Sequence, residues 1–368
     1  MLALQDNVKN AVHQSGGCVF MKLDLSCSFV VVVHNYILKQ IDMQKKFLVL
    51  GLGCMLAMGG VTPAVAANTN TAFAVTGVKE AKDLIGRWDI TVNEDGKEAP
   101  SWLEVKLSGY RTLVGYFVGS SGSARPVSKV EFDNGKFKFS IPPQWENGKN
   151  DVVVEGELTS TGIQGTLVTS EGKTYTWKGV KAPYLKRVVA PKWGKAINLF
   201  NGKDLTGWKI APKNQWEVKD GILTSAKSGV NLVSEEKFTD FKLHVEFRYK
   251  KGSNSGVYLR GRYEVQIEDS PKDAHPSNVL YSGIYGFLTP SEINSLGPDQ
   301  WQSYDITLVG RMVTVVVNGK TVISNQEIPG ITGGALDANE GEPGPIYIQG
   351  DHGPIEFRKI VLTPAVNK

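Results

Sequence analysis

Short alternating runs, each closed by a turn dipeptide, constrain this chain more than any other feature. Asp95-Gly96, Asn134-Gly135, Asn147-Gly148, Glu171-Gly172 and Asn318-Gly319 supply residues that accept positive φ, which tight hairpins require. Between the first four lie apolar–polar alternations at 86–92, 103–107, 112–118, 127–132, 136–141, 151–158, 162–169 and 174–180. Seven or eight antiparallel strands at that spacing predict a small sandwich or barrel over 78–182, opened by one or two helical turns at 78–84. The 40 glycines and 41% hydrophobic content agree with turn-rich β structure in a globular protein. No histidine falls in this first unit, and its acidic residues scatter near turns. We read it as an accessory β domain that would meet glycans, if at all, through Trp102 or Trp145.

The prolines and basic pair of 183–193 mark a linker. Beyond it the alternation resumes. In 241–249, Phe241, Leu243, Val245 and Phe247 face one way; 304–309 and 312–317 alternate around Gly310-Arg311, and 346–349 and 355–362 close the series. Strands with one polar and one apolar face build a two-sheet sandwich. The predicted fold class is therefore all-β, a β-sandwich preceded by a smaller antiparallel β domain.

Residues 254–269, NSGVYLRGRYEVQIED, carry more chemistry than a solvated hairpin needs. Side chains alternate across a strand, so Tyr263, Val265 and Ile267 point to a core while Glu264, Gln266 and Glu268 point away. With the turn placed at Gly261-Arg262, Tyr258, Arg260, Glu264 and Gln266 share one open face, with Asp269 at the strand end. A phenol, a guanidinium, a carboxylate and an amide together suit a sugar.

Upstream of both units, Met43-Gln-Lys-Lys, an apolar run over 47–58 and Ala64-Val65-Ala66 have the three parts of a secretory signal. We expect an over-extended start at 1–42, initiation at Met43, cleavage after Ala66 and an exported product; the run is short for a membrane span. Cys18, Cys27 and Cys54 all precede the cut, and Gly51 stands where a lipidation signal at Cys54 would carry a large aliphatic residue. Losing 1–66 removes five of 41 Lys/Arg and three of 37 Asp/Glu, leaving 36 against 34. Such a near-neutral chain lacks the charge for a nucleic-acid partner.

The motif order in the second half is specific. LFNGKDLTGW at 199–208, WEVKDGIL at 216–223, the 254–269 stretch, GIYG at 283–286, WQSYD at 301–305 and QGDHGPIEFRKI at 349–360 resemble, in this order, the 3-keto-disaccharide hydrolase family over about 194–364. The glycine- and acid-rich 330–345 is similar to only one branch. The resemblance implies a concanavalin-like sandwich, bacterial export, and hydrolysis of glycosides whose sugar was first oxidised at carbon 3.

Such a ketone acidifies the carbon-2 proton. A base removes it, the group on carbon 1 leaves, and water adds back. On this reading Glu264 is the base, Arg260 or His352 stabilises the enolate oxygen, and Asn254, Tyr258, Gln266, Asp269 and Tyr285 hold the sugar. No cofactor is required by the sequence. A divalent metal held by Asp351, His352, Glu264 or Asp269 would polarise the ketone instead, and the residues leave that choice open. His352 has a plainer role available, ordering the turn Asp351-His352-Gly353-Pro354; His244 and His275 are weaker still. Trp208, Trp216 and Trp301 are divided between core and platform. Two other functions stay in view: a lectin or laminin-G-like binding module without catalysis, and a direct glycosidase using Glu264 and Glu268, which lie about 13 Å apart along a strand at ~3.3 Å per residue with an amide between them.

Overall fold

The computed structural model describes residues 80–366, so the expected leader at 43–66 and the segment before it lie outside the described residues. After one helical turn, α1 (Ala81–Leu84), come β1 (Gly86–Glu94), β2 (Lys97–Ser108), β3 (Thr112–Val118), β4 (Arg125–Asp133), β5 (Lys136–Ile141), β6 (Val152–Leu158), β7 (Ile163–Val168) and β8 (Thr174–Lys181). Each pairs antiparallel with the next, and β8 returns to β1, closing a barrel. Closure removes both sheet edges. Asp95 and Asn134 adopt φ of 53° and 44°, the left-handed conformation their hairpins demand. Trp88, Leu103, Phe117, Phe137, Val154 and Trp177 fill the interior, so the barrel is a packed core rather than a ligand chamber.

The second unit holds β9 (Ile197–Asn198), β10 (Trp208–Lys209), β11 (Trp216–Lys219), β12 (Ile222–Ser225), β13 (Leu232–Phe238), β14 (Phe241–Tyr249), β15 (Asn254–Leu259), β16 (Tyr263–Glu268), β17 (Gln302–Val309), β18 (Met312–Val317), β19 (Lys320–Glu327), β20 (Gly344–Ile348) and β21 (Ile355–Pro364). One sheet runs β10-β13-β20-β15-β16 and the other β11-β12-β21-β14-β17-β18-β19, with β9 alongside β21. Between them Val257, Val265, Ile267 and Ile348 of the smaller sheet meet Val245, Phe247, Ile306 and Phe357 of the larger in one apolar cluster. Each such side chain contributes about 1.5–3 kcal/mol on burial. This is an all-β sandwich.

Trp208 and Trp216 are core residues, 2% and 3% exposed, each donating its indole N–H to a backbone carbonyl. Trp301 lies instead between the guanidinium groups of Arg248 and Arg358, 4.8 and 4.6 Å from its ring. His244 bonds Asp305 and Glu246 on the outer face of the large sheet. Among the described residues no helix is long and apolar enough to cross a membrane.

Barrel and sandwich share buried contacts. Trp102 and Val118, on barrel strands, belong to the sandwich cluster, and Trp102 meets Phe287 edge-on at 5.2 Å. Trp102 is therefore no glycan platform; it is fully buried. The segment 183–193 is tied down by an ion pair from Arg187 to Asp240 and by Pro183, whose carbonyl accepts from Arg311. Beside it a charged knot crosses the seam. Glu340, fully buried, takes two bonds from Arg311 and one from the Tyr263 hydroxyl. Burial and the nearby Glu340 charge push Asp89 of β1 upward, while Arg311 holds Glu340 low despite its burial.

Candidate functional site

The hairpin β15–β16 builds the site. Its register pairs Tyr258 with Glu264, Gly256 with Gln266 and Asn254 with Glu268; β20 on the other side pairs Tyr347 with Tyr258. Alternation then puts Asn254, Gly256, Tyr258, Glu264, Gln266 and Glu268 on the face away from the core. The Tyr347 ring stacks on Tyr258 at 4.2 Å and 16°, and Asn231 donates to the Tyr347 hydroxyl at 2.7 Å.

This face is not open at its centre. Glu264 and Gln266 are each 3% exposed, because neighbouring loops roof them. Gly283 accepts from the Gln266 N–H, Tyr285 N–H donates to the Glu264 carbonyl, and the Thr332 hydroxyl accepts from the Glu264 N–H. Exposure returns toward Asp351 and His352, whose side chains bond each other at 2.6 Å.

Burial pushes the Glu264 carboxyl up to about 8; the Asp351 charge adds to the rise and the Tyr258 hydroxyl opposes it. The local hydrogen count agrees. The Tyr258 hydroxyl lies 2.9 Å from Glu264 Oε2 and 2.9 Å from the Gly333 carbonyl. One phenolic hydrogen cannot serve both acceptors. With Glu264 protonated, the carboxyl donates to Tyr258 and the phenol donates to Gly333; with Glu264 ionised, the phenol turns to the carboxylate. Tyr258 can thus bond the Glu264 carboxyl in either of its protonation states. Two glycines make the arrangement fit. A Cβ on Gly256 would lie 2.2 Å from Glu264 Oε1, and one on Gly334, at φ +77°, would lie 2.5 Å from the Tyr258 hydroxyl.

Two acceptors on this side stand without partners, the buried side-chain oxygens of Gln266 and Gln349. An unpaired buried amide oxygen is costly. Tyr285 is half-buried beside them, its phenol pushed up to about 12 by burial and by the charges of Glu264 and Glu268. Asn254, half-buried, begins β15 on the same face.

Two expected members are elsewhere. Arg260 has φ 54°, so it belongs to the turn, and the left-handed conformation breaks the alternation that would have set it beside Glu264. Its guanidinium, fully buried, bonds the Tyr263 hydroxyl and the Gly310 carbonyl instead. It therefore does not stabilise an enolate next to Glu264. Asp269 has the opposite parity from Glu268; its carboxylate accepts from the Gly252 N–H and fastens the turn before β15. In the structure Asp269 is thus engaged at that turn rather than with Glu264. Among the described residues no three His, Cys, Asp or Glu side chains gather as a metal set. Tyr347, Asn231 and Gln349 were missed as site residues. Alternation within 346–349 marks Tyr347 and Gln349 as one face, but only cross-strand register attaches them to Glu264.

Two clefts lie off this face. One of about 530 Å³ separates barrel strands from 336–339, and one of about 590 Å³ lies beneath 184–191. Neither is lined by Glu264 or Tyr258.

Residues 195–363 match the family model described as a 3-keto-alpha-glucoside-1,2-lyase-like domain. The C-terminal half of this chain is such a lyase-like domain. A 3-keto-disaccharide hydrolase from Bacteroides thetaiotaomicron is 29% identical over 97 residues, 23% of this chain and 32% of that protein, so the match spans about a third of the curated relative. A solved structure from Parabacteroides distasonis ATCC 8503, assigned as a glycosyl hydrolase, is 28% identical, covers 49% of this chain and 93% of its own, and has a TM-score of 0.41. Another protein from that organism, with the same assignment, is 25% identical over 46% of this chain and 98% of its own, with a TM-score of 0.38. The lyase-like domain contains the whole hairpin face and both loops that roof Glu264.

Proposed function

We propose that this protein is an exported enzyme that cleaves 3-keto-glycosides, 3-keto-disaccharides among them, by elimination followed by hydration. The observation that supports it most is the Glu264 carboxyl, buried, raised to about 8 and held by Tyr258. A base of that strength matches a proton acidified by a neighbouring ketone, and a general base works best when its pKa lies near the working pH.

Glu264 takes the carbon-2 proton, and the electron pair delocalises onto the ketone oxygen as an enolate. The carbon-1 substituent then leaves with its bonding electrons and takes a proton, giving an enone. Water adds at carbon 1 and a proton returns to carbon 2, so the sum is hydrolysis. The Gln266 and Gln349 oxygens accept sugar hydroxyls. His352, exposed at the open end, protonates the leaving group, and Tyr285 and Asn254 position the ring. With Arg260 turned away, the enolate oxygen depends on donors of this face, the Gln266 amide and the Tyr285 hydroxyl, or on a divalent metal.

The test is release of keto-sugar from a methyl 3-keto-glucoside beside its unoxidised parent, with and without chelator. Cleavage of the keto substrate alone supports elimination, and loss on chelation adds a metal. Equal cleavage of both would point to ordinary glycosidase chemistry; binding without cleavage would make the protein a sugar-binding module.

A further inference from the structure

The barrel carries an exposed indole beside the loop that packs against the roof of Glu264. Trp145 is 63% exposed, an unusual state for the largest side chain, yet its backbone is fastened. Glu146 accepts from the Gln144 and Trp145 N–H groups and pairs with Arg125, whose side chain is 9% exposed. Arg125 also reaches the Pro142 carbonyl, and Ser123 bonds Gln144. The ring itself lies against Gly122, where a Cβ would come within 2.9 Å of Cδ1.

Gly122 in turn touches the roof of the site. A Cβ on Gly333 would lie 2.0 Å from the Gly122 carbonyl oxygen, the Gly334 N–H donates to Ser120, and the Gly333 carbonyl lies 2.9 Å from the Tyr258 hydroxyl. The same barrel loop meets the other roofing segment, since a Cβ on Gly286, next to Tyr285, would lie 2.5 Å from the Ala124 nitrogen. Direct contacts therefore run from the indole through Gly122 and Gly333 to Tyr258 and Glu264. A rigid aromatic plane, apolar on its face, suits the apolar face of a pyranose.

We propose that Trp145 forms a stacking subsite for the leaving-group sugar, so that the barrel selects glycosides whose carbon-1 substituent is itself a sugar ring. This rests on the keto-glycoside reading and adds the class of leaving group to it.

The experiment compares wild type, Trp145→Ala and Trp145→Phe, in the full chain, on a 3-keto-disaccharide and on methyl 3-keto-glucoside. Stacking of this kind corresponds to about 3- to 10-fold in affinity. Trp145→Ala should therefore raise KM for the disaccharide by roughly that factor with kcat within about twofold. Methyl glucoside constants should stay unchanged, and Trp145→Phe should recover most of the loss. Equal effects on both substrates, or none on either, would overturn the subsite. Should wild type cleave neither substrate, the hydrolase reading falls, and the subsite is read separately from indole fluorescence. A change on adding the disaccharide, absent in Trp145→Ala, supports the subsite; no change in wild type overturns it.

Discussion

Gly256 is the position where adding one carbon tests the geometry most sharply. It stands opposite Gln266 on β15, two residues before Tyr258, and its backbone is not left-handed. Alanine there strains no dihedral, and by itself would stabilise the strand by about 0.4–1 kcal/mol through the unfolded chain. The new carbon would stand 2.2 Å from Glu264 Oε1 and 2.8 Å from its Cγ, roughly 1 Å inside normal contact. Glu264 must swing away, because the strand pairs with both neighbours. The hydrogen bond to Tyr258 breaks, and overpacking costs about 1–3 kcal/mol. A 1 Å displacement of a reacting group lowers turnover by about 100-fold. We expect Gly256→Ala to fold, with a urea midpoint lowered by an amount equivalent to about 0–2 kcal/mol. Its kcat/KM on a keto-glucoside should fall by about two orders of magnitude. Activity within threefold of wild type would refute this geometry, since the carboxyl would then work from a position the added methyl occupies.

The remaining expectations are these. A base acts when ionised, so kcat/KM should rise with pH, about tenfold per unit below 8, and level above it; a plateau reached near 5 would contradict the raised Glu264. The same shift affects stability. Because the folded value of about 8 lies above the ordinary 4.5, the stability of neutral buried Glu264 is fully present below 4.5 and is lost as pH rises through 8. That loss reaches about 3 kcal/mol by pH 7. Glu264→Gln should therefore flatten the stability–pH curve measured by urea unfolding; an unchanged slope would show that Glu264 is not its source. Glu340→Ala leaves Arg311 buried without its carboxylate and should cost about 3–5 kcal/mol in urea unfolding; a cost below about 1 kcal/mol would mean that solvent reaches the seam.

Strand positions were readable because side-chain alternation is local. It placed the barrel strands between their turn dipeptides, and it put Tyr258, Glu264 and Gln266 on one face. Arg260 departs from that pattern because a turn residue with positive φ no longer obeys strand parity, and no sequence period marks which residue of 260–262 turns first. The roof over Glu264 was not readable. It comes from 283–285 and 332–334, far along the chain, and it converts an apparent open face into a buried carboxyl. The glycine- and acid-rich segment 330–345 carried no structural assignment in the sequence; in the structure it supplies both Gly333 against Tyr258 and Glu340 at the seam. Trp102 and Trp145 looked alike in sequence, and only the packing of barrel against sandwich separates the buried one from the exposed one.

The most direct test of Glu264-driven elimination is cleavage of a 3-keto-glucoside in heavy water, with the released sugar analysed by mass and by the carbon-2 proton signal. Elimination breaks the carbon-2 bond and hydration rebuilds it, and the proton on Glu264 can exchange with solvent before it returns. The account therefore predicts deuterium at carbon 2 of the product, beyond what free product acquires when incubated alone, and slower cleavage of a substrate deuterated at carbon 2. Product that keeps its original hydrogen at carbon 2, together with equal rates for substrates carrying hydrogen and deuterium there, would contradict the account.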